Sequence, residues 1–295
     1  MANSFPHYPF PKPPELGQSQ QVADGVYWLR MPLPFKLDHI NLWALEEKDG
    51  WTIVDTGLAT DTTTELWDSI ISQLNAPIKR VIGTHMHPDH IGLAAWLCRR
   101  SDAELWMSRT EYMYCRILLE DSNQQAPDVA IQFYRAAGFN EEQLNYYQSK
   151  FGAFGSMIRG MPNSYHRLRD GDDFIINHRQ WQVIIGEGHS PEHVCLHCPE
   201  LDVFIAGDQL LPTISSNVSV WPIEPHSNPL EDWIASCKKL QSQLHDNTLV
   251  LPSHGLPFTG ANARLHTLIE EHGRDLQTIY EHCVEPKRVV DIFPL

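Results

Sequence analysis

The six residues His85–His90, which read HMHPDH, decide what kind of fold this 295-residue chain adopts. They directly follow an apolar run that predicts a buried strand. In an extended segment, residues two apart point the same way, so His85 and His87 can meet one metal ion. The chain then turns, which can aim Asp89 and His90 at a second point nearby. Three imidazoles and a carboxylate this close together cost too much desolvation for an ordinary core feature, so the stretch predicts metal binding.

Further ligands are expected from elsewhere in the chain, because four adjacent side chains cannot surround two metal ions. Three more apolar, strand-like runs end in a residue that can bind a metal, namely His189, Asp208 and His254. Loops held at the ends of rigid strands are where metal sites are expected. The sequence therefore predicts that these three residues join the cluster at 85–90.

Taken together, these motifs resemble the metallo-β-lactamase-fold hydrolase superfamily, in particular its glyoxalase II-like branch with a bridging aspartate. The five motifs of that family are recognisable in order between residues 25 and 255: Asp55, the cluster at 85–90, His189, Asp208 and His254. The resemblance implies an α+β fold, an αββα four-layer sandwich with a dinuclear metal site at one edge.

The resemblance also implies how the ligands divide between two divalent ions. The first ion is assigned to His85, His87 and His189, the second to Asp89, His90 and His254, and Asp208 bridges both. Imidazole and carboxylate ligands without thiolate favour zinc, with iron and manganese as alternatives. In the family's oxygen-reducing di-iron branch a glutamate replaces the second histidine of the motif, so His87 favours hydrolysis.

The predicted chemistry follows from charge. Two divalent cations outweigh the carboxylates of Asp89 and Asp208, and the excess positive charge stabilises a bridging hydroxide. That hydroxide would attack a carbonyl carbon or phosphorus while the second ion holds the developing oxyanion. Asp89 is the predicted catalytic residue, because it can orient the nucleophile or pass its proton to the leaving group.

Two residues are predicted to support the ligands from behind. Metal-bound histidines usually hydrogen-bond to carboxylates or carbonyls, which suggests this role for Asp55 and, with less local support, for His193. The alternative for Asp55 is a turn residue that caps Thr56 and Gly57, and for His193 an ordinary strand histidine.

The remaining sequence predicts one catalytic domain with additions. The proline-rich residues 1–24 are expected to form an extended arm, and residues 25–259 the catalytic domain. Within that domain, residues 109–160 show three helical patterns without a strand signal and predict a helical insertion. Its aromatic residues either pack it against the body or form a wall over a substrate pocket. Residues 260–295 predict a C-terminal helical extension, which we expect to be truncated.

Composition limits the partners. Lys plus Arg is 22 and Asp plus Glu is 37, which gives a formal charge of −15 that disfavours nucleic-acid binding. A local cationic site within that surface would still suit a small anionic or polarised substrate.

Six cysteines are too sparse for a disulfide scaffold, and the CxxC at Cys195 and Cys198 lies in a strand-like stretch, where structural thiols are expected. The N-terminus lacks signal-peptide features and no apolar run could span a membrane, so the sequence predicts a cytoplasmic protein. The oligomeric state stays open, a homodimer included.

Several reactions compete within the resemblance. We favour hydrolysis of a carboxylic ester, thioester or lactone, because the aromatic insertion and the loop around Trp221 suggest an apolar acyl or aryl group in a small-molecule substrate. The alternatives are phosphodiester or RNA cleavage, β-lactam hydrolysis, an iron-dependent oxygenase, and a metal-binding module without catalysis.

Overall fold

The computed structural model describes residues 6–294, which contain twelve strands and nine α-helices. The strands are β1 (Ser19–Ala23), β2 (Val26–Pro32), β3 (His39–Glu47), β4 (Gly50–Val54), β5 (Ile78–Ile82), β6 (Glu104–Ser108), β7 (His166–Leu168), β8 (Asp173–Ile176), β9 (Arg179–Gly186), β10 (His193–Cys198), β11 (Val203–Gly207) and β12 (Leu249–Pro252). The helices are α1 (Asp61–Leu74), α2 (Pro88–Ile91), α3 (Ala94–Ser101), α4 (Arg109–Glu120), α5 (Asp128–Ala136), α6 (Glu141–Lys150), α7 (Phe154–Met157), α8 (Pro229–Gln241) and α9 (Ala261–His282). A short 3₁₀ turn follows at Val289–Asp291.

The strands form two sheets. The first has seven strands in the order β1-β2-β3-β4-β5-β6-β7, and the second has five in the order β12-β11-β10-β9-β8. Pairing is antiparallel from β1 to β4 and parallel from β4 to β7. In the second sheet only the β11–β12 pair is parallel.

Both faces of each sheet are covered, which explains why the strands read as continuous apolar runs rather than alternating ones. In β3, Ile40, Leu42 and Ala44 pack toward the helices outside the first sheet. Trp43 and Leu45, on the opposite face of the same strand, pack toward the second sheet. The resulting αββα sandwich confirms the predicted fold class.

The outer layers come from helices that each bury one face. On the first sheet, α1 contributes Trp67 and Ile70 to the core, and α3 contributes Leu97. On the second sheet, Trp233 of α8 and Leu265 of α9 belong to a separate apolar cluster. The helix α8 begins after Asn228, the N-cap residue, whose side chain accepts a hydrogen bond from the Glu231 amide.

Two elements lie across or next to the predicted boundaries. Residues 19–23, expected within the extended arm, form β1 and pair with β2, because Val22 can bury its side chain between the sheets. The beginning of α9, expected to be an extension, covers the second sheet with Ala261, Leu265 and Leu268. The chain distal to these residues is the more exposed part of the helical C-terminal segment.

The region 109–160 is helical throughout its regular elements, but α4 follows β6 without a linker and buries Tyr112 and Cys115 in the first core. The CxxC cysteines lie three apart on β10 and therefore face opposite sides of the sheet. Cys195 belongs to the cluster under α8 and α9, whereas Cys198 belongs to the layer between the sheets. None of the helices within residues 6–294 is both long and apolar enough to cross a membrane.

Candidate metal centre

Strand direction explains why the predicted ligands meet. The neighbours β4 and β5 run parallel, and β9, β11 and β12 share one direction in the second sheet. Asp55, the 85–90 cluster, His189, Asp208 and His254 each come directly after one of these five strands. All of the predicted ligands therefore lie at one edge of the sandwich, on loops held by both sheets.

The first donor set consists of His85, His87, His189 and Asp208, whose ligand atoms all lie within 4.8 Å of one another. Nε2 of His85 is 2.8 Å from Nδ1 of His87 and 3.2 Å from Nε2 of His189. Nε2 of His189 is 3.4 Å from Oδ2 of Asp208. Donors that share one tetrahedral zinc ion lie about 3.3 Å apart, from Zn–N bonds of about 2.0–2.1 Å, so these separations suit a metal of that size.

The second donor set consists of Asp89, His90 and His254. Oδ2 of Asp89 is 3.7 Å from Nε2 of His90 and 3.5 Å from Nε2 of His254. The two nitrogens also lie 3.5 Å and 3.4 Å from Oδ1 of Asp208.

Asp208 thus faces both sets with different atoms. Its Oδ2 lies toward His85 and His189, and its Oδ1 lies toward His90 and His254. A carboxylate that divides its oxygens in this way can hold two cations at once, which is the bridging role expected from the resemblance.

Hydrogen bonds at the back of the rings aim four of the imidazoles. Nδ1 of His189 donates to the carbonyl oxygen of Asn217, and Nδ1 of His254 donates to that of His39, each over 2.8 Å. Nδ1 of His85 lies 3.1 Å from Oγ1 of Thr84, and Nδ1 of His90 lies 2.7 Å from a carboxylate oxygen of Asp55. We assign the ring proton to Nδ1 in all four, which leaves each Nε2 with a lone pair directed at the centre.

This arrangement suits a positive charge at its middle. With the ring protons assigned to Nδ1, Nε2 of His85 and Nε2 of His189 face each other at 3.2 Å, and a cation between them would make that contact favourable. Nε2 of His90 and Oδ1 of Asp208 are buried and have no hydrogen-bond partner of acceptable geometry among residues 6–294. Buried acceptors left unpaired are costly, and metal ions would satisfy both. The residues present therefore fit two divalent cations.

The protonation preferences of the first set agree with neutral nitrogen donors. Burial, reinforced by the neighbouring imidazoles, holds the pKa of His85 well below its ordinary value. Burial and the nearby His189 lower the pKa of His87 to about 3. Neutral imidazole is the form that binds metals.

The second set carries more negative charge. Burial alone would lower the pKa of His90, but the carboxylates of Asp208, Asp55 and Asp89 outweigh it and raise that pKa well above its ordinary value. Burial would raise the pKa of Asp208, but His90 and His254 outweigh it, and that pKa lies well below the ordinary range. Asp208 is therefore a carboxylate, and a cation bound here takes the place of a proton on His90.

Asp55 lies behind the two donor sets. It adopts a left-handed backbone conformation with φ 62° and is 2% exposed. Its carboxylate accepts hydrogen bonds from the amide and the hydroxyl of Thr84, each over 2.8 Å, and contacts His90. The carboxylate therefore contacts His90 of the second donor set and Thr84, the residue before His85. It does not cap Thr56 and Gly57, as the alternative interpretation expected.

His193 lies beneath Asp208. Its Nε2 accepts a hydrogen bond of 3.0 Å from the backbone amide of Asp208, and its ring stacks on that of His85 at 4.7 Å between centroids. Gly207 makes this approach possible, because a Cβ there would lie 2.3 Å from Cε1 of His193. Its φ of 54° also lies in the left-handed region that favours glycine.

Sequence reasoning missed Glu111 of α4. This carboxylate is 0% exposed and accepts two backbone hydrogen bonds, from Met86 N over 2.9 Å and from Glu192 N over 2.8 Å. Met86 lies between two members of the first donor set, so Glu111 fixes the loop at 85–90 to the segment that follows His189.

The loop of His254 is also held by residues that the sequence did not single out. The side-chain amide of Asn41, on β3, donates to the carbonyl oxygens of Pro252 and Gly255, each over 2.9 Å. His39 accepts a hydrogen bond from the Gly255 amide with its ring, besides accepting one from His254 with its carbonyl oxygen. Asn41 and His39 thus hydrogen-bond to a segment more than 200 residues away, and no local sequence pattern indicates such contacts.

A cavity of about 530 Å³ opens beside His189. Met86 of the ligand loop lines it, together with Tyr114 of α4 and Trp221 of the loop before α8. An aromatic residue from 109–160 therefore contributes to a wall of this cavity. The Ser216 hydroxyl, in the loop after Asp208, donates to the carbonyl oxygen of Asp208.

An αββα sandwich with two His/Asp donor sets at one edge is typical of metal-dependent hydrolases. The sequence profile of the metallo-beta-lactamase superfamily matches residues 36–254. The chain belongs to this superfamily.

Individual proteins agree with this assignment. The crystal structure of a beta-lactamase domain protein from Burkholderia ambifaria is 38% identical, with a TM-score of 0.89, covering 98% of this chain and 84% of that one. The probable metallo-hydrolase YqjP of Bacillus subtilis is 27% identical over 257 residues, 82% of this chain and 75% of the relative. The acyl-coenzyme A thioesterase MBLAC2 of Bos taurus is 23% identical over 250 residues, 80% of each chain.

Proposed function

We propose that this protein is a dinuclear metal-dependent hydrolase that cleaves a carboxylic ester, a thioester or a lactone. The observation that carries the proposal is the division of seven candidate ligand residues into two sets, with one oxygen of Asp208 facing each set, next to a cavity of about 530 Å³. Structural metal sites are usually closed, whereas two ions shared among seven ligands leave positions for water and substrate.

When bound, two divalent cations supply Lewis-acid chemistry and activate water near neutral pH. We propose zinc, because the donors are imidazole nitrogens and carboxylate oxygens in roughly tetrahedral spacing and no cysteine is among them. The seven proposed ligands are those of the two donor sets: His85, His87, His189, Asp208, Asp89, His90 and His254.

Asp89 is the proposed catalytic residue. Its side chain is 20% exposed, against 10% for Asp208, so it is the carboxylate of the centre that solvent and substrate reach more easily. Burial would raise its pKa, but His90 and His254 outweigh it, and the pKa lies below the ordinary value. An ionised Asp89 can orient the attacking water, accept its proton and pass that proton to the leaving group.

Asp55 and His193 are proposed to act through the ligands. Asp55 keeps the His90 ring oriented with its Nε2 inward, and His193 fixes the backbone at Asp208. Neither contacts the cavity, so we assign them to positioning.

The cavity supports an acyl substrate over a phosphodiester. Tyr114, Trp221 and Ile223 supply apolar and aromatic surface, and none of the lining residues is a lysine or arginine that could hold a phosphate backbone. The relative MBLAC2, an acyl-coenzyme A thioesterase, acts on a thioester of this general class.

The test is a substrate screen with metal control. Protein stripped by a chelator is reloaded with zinc, iron or manganese and assayed on chromogenic esters, thioesters, lactones, phosphodiesters and a β-lactam. We expect zinc-dependent cleavage of one of the first three classes, and two metal ions per chain by elemental analysis.

The variants Asp208→Ala and His87→Ala should lose more than about 100-fold in kcat/KM. His266→Ala, which changes an exposed histidine on α9, serves as the control and should match the unmodified protein. Full activity in metal-free protein or in either ligand variant would refute the proposal. Activity that requires iron and consumes oxygen would favour the oxygenase alternative.

A further inference from the structure

Three hydrogen bonds from Asn41 of β3 hold the turn that carries His254. The side-chain amide of Asn41 donates to the carbonyl oxygens of Pro252 and Gly255, each over 2.9 Å. Its backbone amide donates to the carbonyl oxygen of Ser253 over 2.7 Å. These bonds lie on both sides of His254 in the chain, so one residue of the first sheet fixes the whole turn at the end of β12.

The orientation of the Asn41 side chain is fixed by donors on its other side. The Trp28 indole and the Arg30 guanidinium donate to its Oδ1 over 2.8 Å and 3.2 Å. Because Oδ1 faces two donors and Nδ2 faces two carbonyl oxygens, a reversed amide would lose all four bonds. Burial lowers the pKa of Arg30 to about 10, so this donor is cationic at neutral pH and its bond is charge-assisted. Asn41 itself is 0% exposed, which keeps water from replacing these bonds.

The turn matters to the second donor set in particular. Asp89 and His90 follow a strand of the first sheet, and His254 is the one member of this set that the second sheet supplies. The distances from His254 to the other two therefore depend on how the sheets are joined at this turn. The first donor set is joined across the sheets by a different residue, Glu111, which accepts from the backbone on both sides.

We propose that Asn41 is a positioning residue for the second metal site and acts on that site separately from the first. The inference rests on the proposed dinuclear centre and goes beyond it, because it assigns one brace to each half of the centre. Asn41 braces the second site, and Glu111 braces the first. Without the bonds from Asn41, the His254 ring would no longer be held at its distance from Asp89 and His90.

The test measures zinc stoichiometry by elemental analysis and zinc affinity by competition with a chromogenic chelator. Asn41→Asp keeps the shape of the side chain but turns a carboxylate oxygen, in place of Nδ2, toward two carbonyl oxygens. We expect the affinity for one of the two zinc ions to fall about 10–100-fold, the range for residues that support ligands.

A second background isolates the first site, because Asp208 faces both donor sets. His90→Ala removes a proposed ligand of the second ion and should leave one zinc ion per chain. In this background Asn41→Asp should not change the affinity for the remaining ion. Glu111→Gln should lower that affinity about 10–100-fold in the same background.

Two further variants separate positioning from a general loss of stability. Asn262→Asp removes a comparable amide donor at the beginning of α9, which donates to the carbonyl oxygen of Leu244 over 2.9 Å. It should keep both zinc affinities whatever its melting temperature. Arg30→Gln keeps Asn41 but removes the charged donor to its Oδ1, so it should weaken the same ion about 3–10-fold. This milder variant gives the answer if Asn41→Asp does not fold.

Unchanged zinc affinities in both Asn41→Asp and Arg30→Gln would overturn the inference, since Asn41 would then support only the fold. A loss caused by Asn41→Asp in the His90→Ala background would also overturn it, because the residue would act on the first site as well. Both results would leave the dinuclear centre intact if the unmodified protein binds two zinc ions. Fewer than two ions in the unmodified protein would overturn the inference together with the dinuclear centre.

Discussion

Replacing Glu111 by glutamine tests how far the centre depends on a residue that binds no metal. The change keeps the size of the side chain but turns one of two acceptor oxygens into a donor. Glu111 accepts from Met86 N and Glu192 N, so one buried amide loses its partner and the other keeps a neutral acceptor. The loop at 85–90 is thereby released from the segment behind His189.

The magnitude follows from these two bonds. A hydrogen bond to a charged group contributes about 1.5–3 kcal/mol and one to a neutral group about 0.5–1.5 kcal/mol, while an unpaired buried amide costs about 1–3 kcal/mol. Burial raises the pKa of Glu111, which shows that the carboxylate is itself costly to bury, so part of the loss is offset. We expect the free energy of unfolding to fall by about 1–3 kcal/mol and the affinity for zinc to fall about 10–100-fold.

The assay pairs denaturant unfolding with zinc competition against a chromogenic chelator. The control is Glu120→Gln, which changes an exposed glutamate at the other end of α4 and should alter neither quantity. Unchanged zinc affinity in Glu111→Gln would refute the reasoning, even with lowered stability, because it would show that the carboxylate braces the fold without positioning the ligands.

Three further predictions follow from the same structure. Gly207→Ala should lower the melting temperature and the zinc content, because its Cβ would lie 2.3 Å from the His193 ring. Gly273→Ala, in the exposed part of α9 with open space around it, should raise the melting temperature. Calorimetry measures the two melting temperatures, and elemental analysis measures the zinc content. Ellman's reagent should find one fast thiol, the exposed Cys283, and six after denaturation, because the other five cysteines are buried; two or more fast thiols would contradict this packing. Removal of metal by a chelator should lower the melting temperature and zinc should restore it, since a ligand of the folded state alone stabilises that state; an unchanged melting curve would show that the donor sets are empty in the purified protein.

The sequence predicts well which edge of the sandwich carries the candidate site, and the reason is physical. Each predicted ligand comes shortly after an apolar strand, so strand and predicted ligand are visible in one local pattern, as at His189 and Asp208. Strands buried on both faces are also continuous apolar runs, which makes the two-sheet architecture readable from the chain.

Contacts between distant segments are where the sequence fails. In the sequence, Glu111 cannot be told from Glu120, the other glutamate of α4. Only the packing of α4 against the loop at 85–90 shows that Glu111 is buried. His39 reads as an ordinary half-buried histidine, yet its carbonyl oxygen orients His254, which is 215 residues away. A backbone carbonyl leaves no trace in the identity of the side chain.

The cavity shows the same limit in a different form. Aromatic residues in 109–160 and at Trp221 suggest an apolar wall. The acidic character of that wall depends on Glu187, Glu224 and Asp232 meeting in space, and these come from three separate segments. Net charge predicts a negative surface, but it cannot predict that the negative charge also lines the approach to a cationic centre.

Thr84 and Asp208 have a consequence for how the centre fills. The Thr84 hydroxyl lies 3.1 Å from Nδ1 of His85 and 3.2 Å from Nδ1 of His90, one ring from each donor set, and Asp208 offers one oxygen to each. In the proposed dinuclear centre the two sites would therefore share Thr84 and Asp208, and we expect that filling one site changes the metal affinity of the other. A zinc titration should then depart from the curve of two independent sites.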